Sequence, residues 1–421
     1  MGDALLSSRI TNTIVVKMDN HKNLHYLFVT ADEFPSFRPE LETLIGKHLR
    51  QRGHKVDWIM RAAEVGAKNG RVDWNGYDVW IAPTISGGRR IDRVRKHLSS
   101  LRNELRIFSL NTIANYDFIL VKDKYLSALF GLVESWRSRT KFVYWLSFPD
   151  PEASLLKAKI PGTKYPLFYF FRGRLFGFLL YRIICPQSDR IIVQSEEMKR
   201  RMVLRGINGC KITALPMGVD DSLLGCVPEK NTSLSNTVVY LGTLNKLREL
   251  DFLLKAYARI VHKHKDTKLI FVGDSDDPVD KLFLQKEAAR LGIAGSVSFT
   301  GFLPREEALK YVASANLCVS PIPPGPVYDV SSPTKTLEYM ALGRPVVAND
   351  IPDTREVLEG SGGGICTPYN IDQFSEAMDW ILCNPSEARL MGEKGQRYIA
   401  SHRTYSVLAD KLAGVYASME Y

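Results

Sequence analysis

The stretch SSPTKTLEYMALGRPVV, residues 331–347, predicts a loop, a helix, a tight turn and a buried strand in direct succession. Ser332 is a favourable N-cap residue, Pro333 suits the first helical position, and Gly343 predicts the end of the helix. Lys335 falls in the first helical turn, where the helix dipole already presents positive charge. A lysine is favoured there if an anion binds the helix start, and the alternative is a solvated surface lysine.

The overall charge of the chain favours an anionic partner. Its 421 residues include 56 Lys and Arg against 46 Asp and Glu, for a formal net charge of +10. The candidates are nucleic acid, a phospholipid surface or a phosphorylated substrate, and simple solubility is the alternative. The length predicts two or three domains of about 150 residues each.

Cysteine usage and hydropathy indicate the cellular compartment. Six widely scattered cysteines form no CxxC or Cys/His motif, which favours free thiols in a reducing compartment and argues against a zinc site. The amino terminus lacks the pattern of a signal peptide. Because no run of about 20 apolar residues is present, we expect no transmembrane helix.

The first half of the chain begins with a βαβ unit. Residues 24–30 and 54–59 have strand composition, and helical periodicity runs from 40 to 52 between them. This order predicts a parallel sheet, whose ligands bind at the carboxyl ends of its strands. The loop 31–39 is therefore a candidate ligand contact, with Asp32, Glu33 and Arg38 as its functional side chains. The alternative is that these charged side chains only solvate the loop.

The segment 155–188 contains no acidic residue and mixes basic with aromatic side chains. This composition is typical of a segment that lies on an anionic bilayer. Single-stranded nucleic acid is a second interpretation, and an amphipathic helix packed into its own domain is a third. The residues that we assign to a membrane surface are Lys164, Arg172, Arg174, Phe176 and Arg182.

The second half restarts the alternation of strands and helices. A turn at 215–220 and the irregular residues after it mark a domain boundary. Small or polar residues follow each later strand, so several loops should meet at one edge of a second parallel sheet.

Five motifs, in this order and spacing, resemble the retaining, nucleotide-sugar-dependent glycosyltransferases of family 4, which have the GT-B fold. They are YLGTL at 240–244, FVG at 271–273, FTG at 299–301, SPTK with EYMA at 332–341, and GRPVV at 343–347. The resemblance implies an α/β protein with two Rossmann-like domains facing each other across a cleft. Residues 1–217, with a C-terminal helix at about 400–421 that crosses back, would bind the acceptor, and residues 218–399 would bind the nucleotide sugar.

The resemblance also implies roles for single residues. Glu338 matches a glutamate that hydrogen-bonds the nucleotide ribose, and Arg248 and Lys335 would face the diphosphate, whose charge grows as the sugar bond breaks. Neither a metal nor another cofactor is expected. The implied donor site comprises Gly242, Thr243, Arg248, Gly301, Phe302, Leu303, Asp329, Val330, Ser331, Ser332, Lys335 and Glu338.

Two positions depart from the family pattern. Val330 stands where relatives have a first glutamate, and Asp329 is the nearest carboxylate. No histidine follows the predicted strand 142–146, although Asp150 or Ser147 can assist there. We therefore assign catalysis to Arg248, Lys335 and Asp150, and we place Glu33 and Arg38 on the acceptor side.

The expected activity is transfer of a sugar from a UDP- or GDP-linked donor to a lipid-linked or surface-glycan acceptor, as in polysaccharide or lipopolysaccharide biosynthesis. The protein would lie on the cytoplasmic membrane face, bound peripherally, with no nucleic acid partner. Two alternatives are a nucleotide-sugar epimerase of the same fold and a non-catalytic nucleotide-sugar-binding protein.

Overall fold

The computed structural model describes residues 23–35, 38–65, 69–84, 90–225 and 236–419. The absence of a signal peptide, which the sequence predicts, concerns residues outside these ranges. Two separate sheets organise the described chain, one in each half.

The first sheet has eight strands in the order β3-β4-β2-β1-β5-β6-β7-β8. All neighbours pair in parallel except β3, which forms an antiparallel edge with β4. Helices cover both faces, so the buried residues of the central strands are mostly apolar. In chain order, β1 to β8 are His25–Phe34, Lys55–Val65, Gly70–Trp74, Tyr77–Thr84, Phe118–Lys122, Lys141–Leu146, Arg190–Val193 and Ile212–Ala214.

The second sheet has six parallel strands in the order β11-β10-β9-β12-β13-β14. Their bounds are Thr237–Leu241, Lys268–Val272, Val297–Phe299, Leu317–Ser320, Val346–Asn349 and Gly364–Thr367 for β9 to β14. The order places β9 beside β12, so the loops after these two strands begin next to each other at one sheet edge.

Helices connect the strands of both sheets. Those in the first half are Glu40–Leu49, Arg90–Glu104, Arg106–Ala114, Tyr125–Ser138, Asp150–Lys159, Pro166–Phe178, Leu179–Ile184, Cys185–Gln187 and Glu196–Leu204. Those in the second half are Asp251–Ile260, Pro278–Arg290, Arg305–Ser314, Thr334–Ala341, Pro352–Ser361, Ile371–Cys383, Pro385–His402 and Tyr405–Ala417. Short 3-10 turns are Gly209–Lys211, Asp221–Gly225, Lys246–Arg248 and Ala294–Ser296. Within the described ranges, none of the helices is long and apolar enough to cross a bilayer.

The last helix crosses back onto the first half, as predicted. Its buried residues Leu408, Leu412 and Tyr416 join the core of the first sheet. The ring of Tyr416 lies 4.9 Å from that of Tyr26, centre to centre. An ion pair between Arg52 and Asp410 (2.6 Å) adds a polar contact at the edge of this packing.

Three local predictions were wrong. Strand β1 continues to Phe34 beyond the predicted loop start at residue 31, with a register shift between Val29 and Glu33 against β2. Strands β3, β8 and β14, each at the edge of its sheet, were not predicted from the sequence. Pro333 is the N-cap residue and not the first helical residue, because the helix begins at Thr334. Ser332 does not cap the helix, because its hydroxyl donates to buried Asp353 (2.7 Å) and accepts from the N–H of Met217 (3.0 Å).

Candidate active site

A cleft of about 580 Å³ lies between the two halves, at the carboxyl ends of strands from both sheets. The parallel pairing explains its position, since ligand sites of such sheets form where the strands end. The first half contributes both carboxylates and cations to the lining, and the second half contributes cations. The charged lining residues are Asp32, Arg38, Glu40, Lys122, Asp123, Asp150, Arg248 and Lys335.

Lys335 lies in the first turn of helix Thr334–Ala341 and faces the cleft. Its ammonium donates to the hydroxyl of Tyr240 (3.1 Å) and lies 4.2 Å from the centre of that ring. No carboxylate of the described residues lies within salt-bridge distance of it. Burial lowers the pKa of Lys335 well below its ordinary value, and the nearby Arg248 lowers it further against an opposing effect of Glu338.

Arg248 reaches the same part of the cleft from the short turn Lys246–Arg248 after β9. Its guanidinium lies 5.4 Å from the ring centre of Tyr328, a residue of the proline-rich loop that also lines the cleft. Two cations from different loops thus meet at the start of one helix, where unpaired backbone N–H groups favour an anion.

Glycines bring the second-half loops close together at this point. Gly242 has a φ of 145° and lies so near Lys335 that a Cβ atom would stand 3.2 Å from the ammonium. Gly273 has a φ of 136°, and a Cβ there would overlap the carbonyl of Gly242. The positive φ favours glycine at both positions, and at Gly273 the lack of space for a Cβ atom requires it.

The first half contributes a paired set of charges to the opposite wall. Lys122, only 1% exposed at the end of β5, lies 3.0 Å from Asp32 and 3.4 Å from Glu40. Arg38 lies 2.6 Å from Asp32. Burial alone would raise the pKa of Asp32, but Lys122, the Thr30 hydroxyl and Arg38 together lower it. The sequence analysis missed Lys122 and Glu40, although a charge directly after an apolar strand is a usable signal.

Two further carboxyl groups line the first-half wall. Asp123 follows β5 with a φ of 55° and accepts from the backbone N–H of Ser147 (2.9 Å) and from its hydroxyl. Burial raises the pKa of Asp123. Burial also raises the pKa of Asp150, while Arg172, 3.5 Å away, opposes this rise. Sequence reasoning named Asp150 and Ser147 but not Asp123.

The loop between β12 and helix Thr334–Ala341 is held by the first half. Arg201 forms an ion pair with Asp329 (2.8 Å). The side chain of Val330 is only 3% exposed and packs in the core of the first sheet, and its carbonyl accepts from the Ser195 hydroxyl (2.7 Å). This position faces an apolar core and not the cleft, which is a physical reason for valine in place of a carboxylate.

The remaining predicted donor residues are divided between the cleft and its surroundings. Ser331 and Ser332 line the cleft with Arg248 and Lys335. Glu338, one turn after Lys335, is outside the lining and pairs with Arg305 (2.6 Å). Thr243, Gly301, Phe302 and Leu303 also lie outside it, and Phe302 is 82% exposed.

The predicted acceptor-side residues separate in the same way. Arg38 lines the cleft beside Asp32, whereas Glu33 pairs with Arg61 away from it. The structure therefore brings Arg38 and Asp150 together with the second-half cations, and leaves Glu33 outside.

The basic and aromatic segment forms an exposed helix. Helix Pro166–Phe178 buries only Gly173, while its apolar side chains at helical spacing face outward: Leu167, Phe168, Phe171, Leu175 and Phe178. Lys164, Arg174 and Arg182, which lie on this helix or within four residues of its ends in sequence, are also exposed. Phe176 instead stacks on Tyr125 (4.3 Å between ring centres), and Arg172 covers its ring.

Two family models match most of the chain. The model described as Glycosyltransferase Family 4 matches residues 43–223, and the model described as Glycosyl transferases group 1 matches residues 235–384. The two matches correspond to the two sheets.

Curated relatives match over part of their length. Alpha-D-kanosaminyltransferase of Streptomyces kanamyceticus is 25% identical over 42% of this chain and 45% of its own length. A GDP-mannose-dependent alpha-(1-6)-phosphatidylinositol monomannoside mannosyltransferase of Mycolicibacterium smegmatis is 29% identical over 47% of this chain and 54% of its own. The chain thus spans about half the length of the curated relatives it matches.

A solved structure matches over nearly the whole chain. The Anabaena protein Alr3699/HepE in complex with UDP superposes with a TM-score of 0.66 at 16% identity, covering 94% of this chain and 100% of that one. This likeness shows the fold, two Rossmann-like domains across a cleft. With both family matches, it follows that the chain belongs to glycosyltransferase family 4 and has the GT-B fold.

Proposed function

We propose that the protein transfers a sugar, with retention of anomeric configuration, from a nucleotide diphosphate to a lipid-linked or surface-glycan acceptor. The observation that carries this proposal is Lys335, a cleft cation at a helix start with no carboxylate partner in the described part of the chain. A diphosphate supplies the anion that such a lysine lacks. Arg248 reaches the same place from a different loop.

The proposed reaction breaks the bond between the anomeric carbon and the diphosphate oxygen. The electron pair leaves with the diphosphate, and Lys335 and Arg248 stabilise its growing negative charge. An acceptor hydroxyl forms the new bond on the same face of the sugar, and its proton passes to the departing phosphate oxygen. This route needs no strong side-chain base, and Asp150 on the opposite wall would orient the acceptor hydroxyl.

The names of similar proteins support UDP or GDP as the nucleotide. The Anabaena structure contains UDP, and the mycobacterial relative is named for GDP-mannose. The latter name also gives a phosphatidylinositol glycolipid as acceptor.

An exposed apolar face with basic neighbours supports an anionic bilayer as the location of this acceptor. On helix Pro166–Phe178, Phe171 is 66% exposed, and Lys164, Arg174 and Arg182, on the helix or close to it in sequence, are exposed as well. Apolar insertion and attraction to anionic lipid then act together. The five described cysteines are free thiols, which favours the cytoplasmic side.

Donor binding and transfer test the proposal in two steps. Thermal-shift and calorimetric titrations with UDP, GDP and ADP should show tight binding of one nucleotide, and radiolabelled sugar should then enter the lipid fraction of a membrane extract. Donor conversion without acceptor would instead indicate an epimerase, and binding without any turnover would indicate a non-catalytic protein. If none of the three nucleotides binds, the proposal is wrong.

A further inference from the structure

A cluster of His264, Asp379 and Cys383 lies on the second half, away from the cleft. Each side chain offers one ligand atom, and the three atoms lie within 4.8 Å of one another. We propose that His264, Asp379 and Cys383 bind a Zn²⁺ ion, with a water molecule as the fourth ligand. The nitrogen, oxygen and sulfur donors are those of protein zinc sites.

The geometry is near that of a tetrahedral site. His264 Nε2 lies 2.7 Å from Asp379 Oδ1, and Cys383 Sγ lies 3.9 Å from each of these two atoms. Standard zinc bond lengths give separations of about 3.4 Å between nitrogen and oxygen ligands and about 3.6 Å to sulfur. Zinc binding therefore requires shifts of well under 1 Å, within the reach of side-chain torsions.

Packing of two helices fixes the three residues. Asp379 and Cys383 are one turn apart on helix Ile371–Cys383, and His264 follows helix Asp251–Ile260. These helices share the core of the second sheet through buried residues that include Tyr257, Ile260, Met378 and Ile381. The histidine and the cysteine are separated by 119 residues, so sequence spacing gave no sign of a Cys/His cluster.

The surroundings orient the carboxylate for a metal. Lys263 lies 3.0 Å from Asp379 Oδ2, the oxygen that does not face the cluster. Groups that ligate a metal are commonly held by a second hydrogen-bond partner, and Lys263 would hold Asp379 in this way with Oδ1 directed at the site. The side chain of His264 is 12% exposed, and Cys383 is exposed, so the open side can admit water.

A nucleophilic cysteine fits the arrangement less well. In such a relay, one imidazole nitrogen serves the thiol and the other serves the carboxylate. Here the same nitrogen, Nε2 of His264, faces both Cys383 and Asp379. Convergence of three donors on one point is instead the geometry of metal ligands.

Metal titration of the full chain, first stripped with a chelator, tests the site. We expect one Zn²⁺ per chain, and Co²⁺ in its place should give the near-ultraviolet absorption of a thiolate ligand. Cys383→Ser should remove this absorption and weaken Zn²⁺ binding at least tenfold, and His264→Gln should weaken it similarly. Cys210→Ser is the matched control, because Cys210 is also exposed.

Thermal unfolding gives a second readout. Zn²⁺ should raise the Tm of the wild type and of Cys210→Ser, but not of Cys383→Ser, because it links two helix ends only when the cluster is intact. Cys383→Ser changes an exposed side chain and should fold normally. This variant can therefore test the site even if His264→Gln fails to fold. Equal Zn²⁺ affinity in the wild type and Cys383→Ser would overturn the proposal.

Discussion

The ammonium of Lys335 lies over the ring of Tyr240, 4.2 Å from its centre, and 3.1 Å from its hydroxyl. The buried phenol and the positive helix start surround this cation with groups that cannot neutralise it. The lysine thus has a stability cost that an anionic ligand would offset, and this relationship leads to the first two predictions.

Replacing Lys335 with methionine should weaken nucleotide diphosphate binding by about tenfold to a hundredfold, the range for loss of a charged hydrogen bond. The same change should raise the Tm of the ligand-free protein, because it removes a desolvated cation. Calorimetric titration and thermal unfolding measure the two effects. Lys310→Met, at an exposed site of the same half, is the control and should change neither. Unchanged nucleotide affinity in Lys335→Met would contradict the assignment.

The pH dependence of binding follows from the pKa of Lys335, which burial lowers and Arg248 lowers further. The charged lysine binds the diphosphate, and this form is lost as pH rises through the lowered pKa. Affinity should therefore fall as pH rises, and this fall should occur below the ordinary lysine pKa of about 10.4. Lys335→Arg keeps its charge over this range and should give a flatter profile. Parallel profiles for the two proteins would exclude this lysine as the titrating group.

Asp150 and Arg172 should control the acid limb of the transfer rate. Burial raises the pKa of Asp150 and Arg172 opposes the rise, so Arg172→Ala should raise that pKa further. The carboxylate is then protonated at a higher pH, and the acid limb of kcat should move upward in pH. Arg174→Ala, on the same helix, is the control. Asp150→Asn should reduce kcat and remove the acid limb; an unshifted limb in Arg172→Ala would assign it to another group.

Glu338 should contribute to donor binding through its carboxylate and not through its ion pair with Arg305. Loss of a hydrogen bond made by a charged group predicts at least tenfold weaker UDP or GDP binding for Glu338→Ala. Arg305 is half-exposed, and exposed pairs contribute about 0–1 kcal/mol, so Arg305→Ala should change affinity less than about fivefold. Equal losses in the two variants would mean that the pair acts as one structural unit.

Membrane association should depend on the exposed face of helix Pro166–Phe178. Replacing Phe171 and Leu175 with serine should abolish co-sedimentation with anionic vesicles at low salt, since each apolar side chain contributes about 1.5–3 kcal/mol when buried. Arg174→Ala should weaken it by roughly fivefold, about 1 kcal/mol per cation. The double variant Leu282→Ser and Phe283→Ser, an exposed apolar pair elsewhere, is the control. Vesicle binding that survives in the Phe171 and Leu175 variant would refute a membrane role for this helix.

Local patterns predicted most of the architecture, because strand and helix periodicity and turn residues act over a few positions. The resemblance to family 4, and not the local pattern, assigned Arg248 and Lys335 to one anion site, and both residues line the cleft. Long-range contacts were not predictable in this way. The pairing of Ser332 with Asp353 displaced the predicted cap, and the burial of Val330 depends on a core more than 100 residues away in sequence.

Val330 also restricts how the two halves of the protein can move apart. Rotation of one domain away from the other would withdraw this side chain from the opposite core, at about 1.5–3 kcal/mol, and break the bond from Ser195. The Arg201–Asp329 pair would break in the same motion. Entry of donor and release of product are therefore expected to share one activated step, in which the loop before Lys335 detaches. A smaller side chain at position 330 should speed this opening step. If kcat then rises, opening limits turnover; if kcat is unchanged, the chemical step limits it.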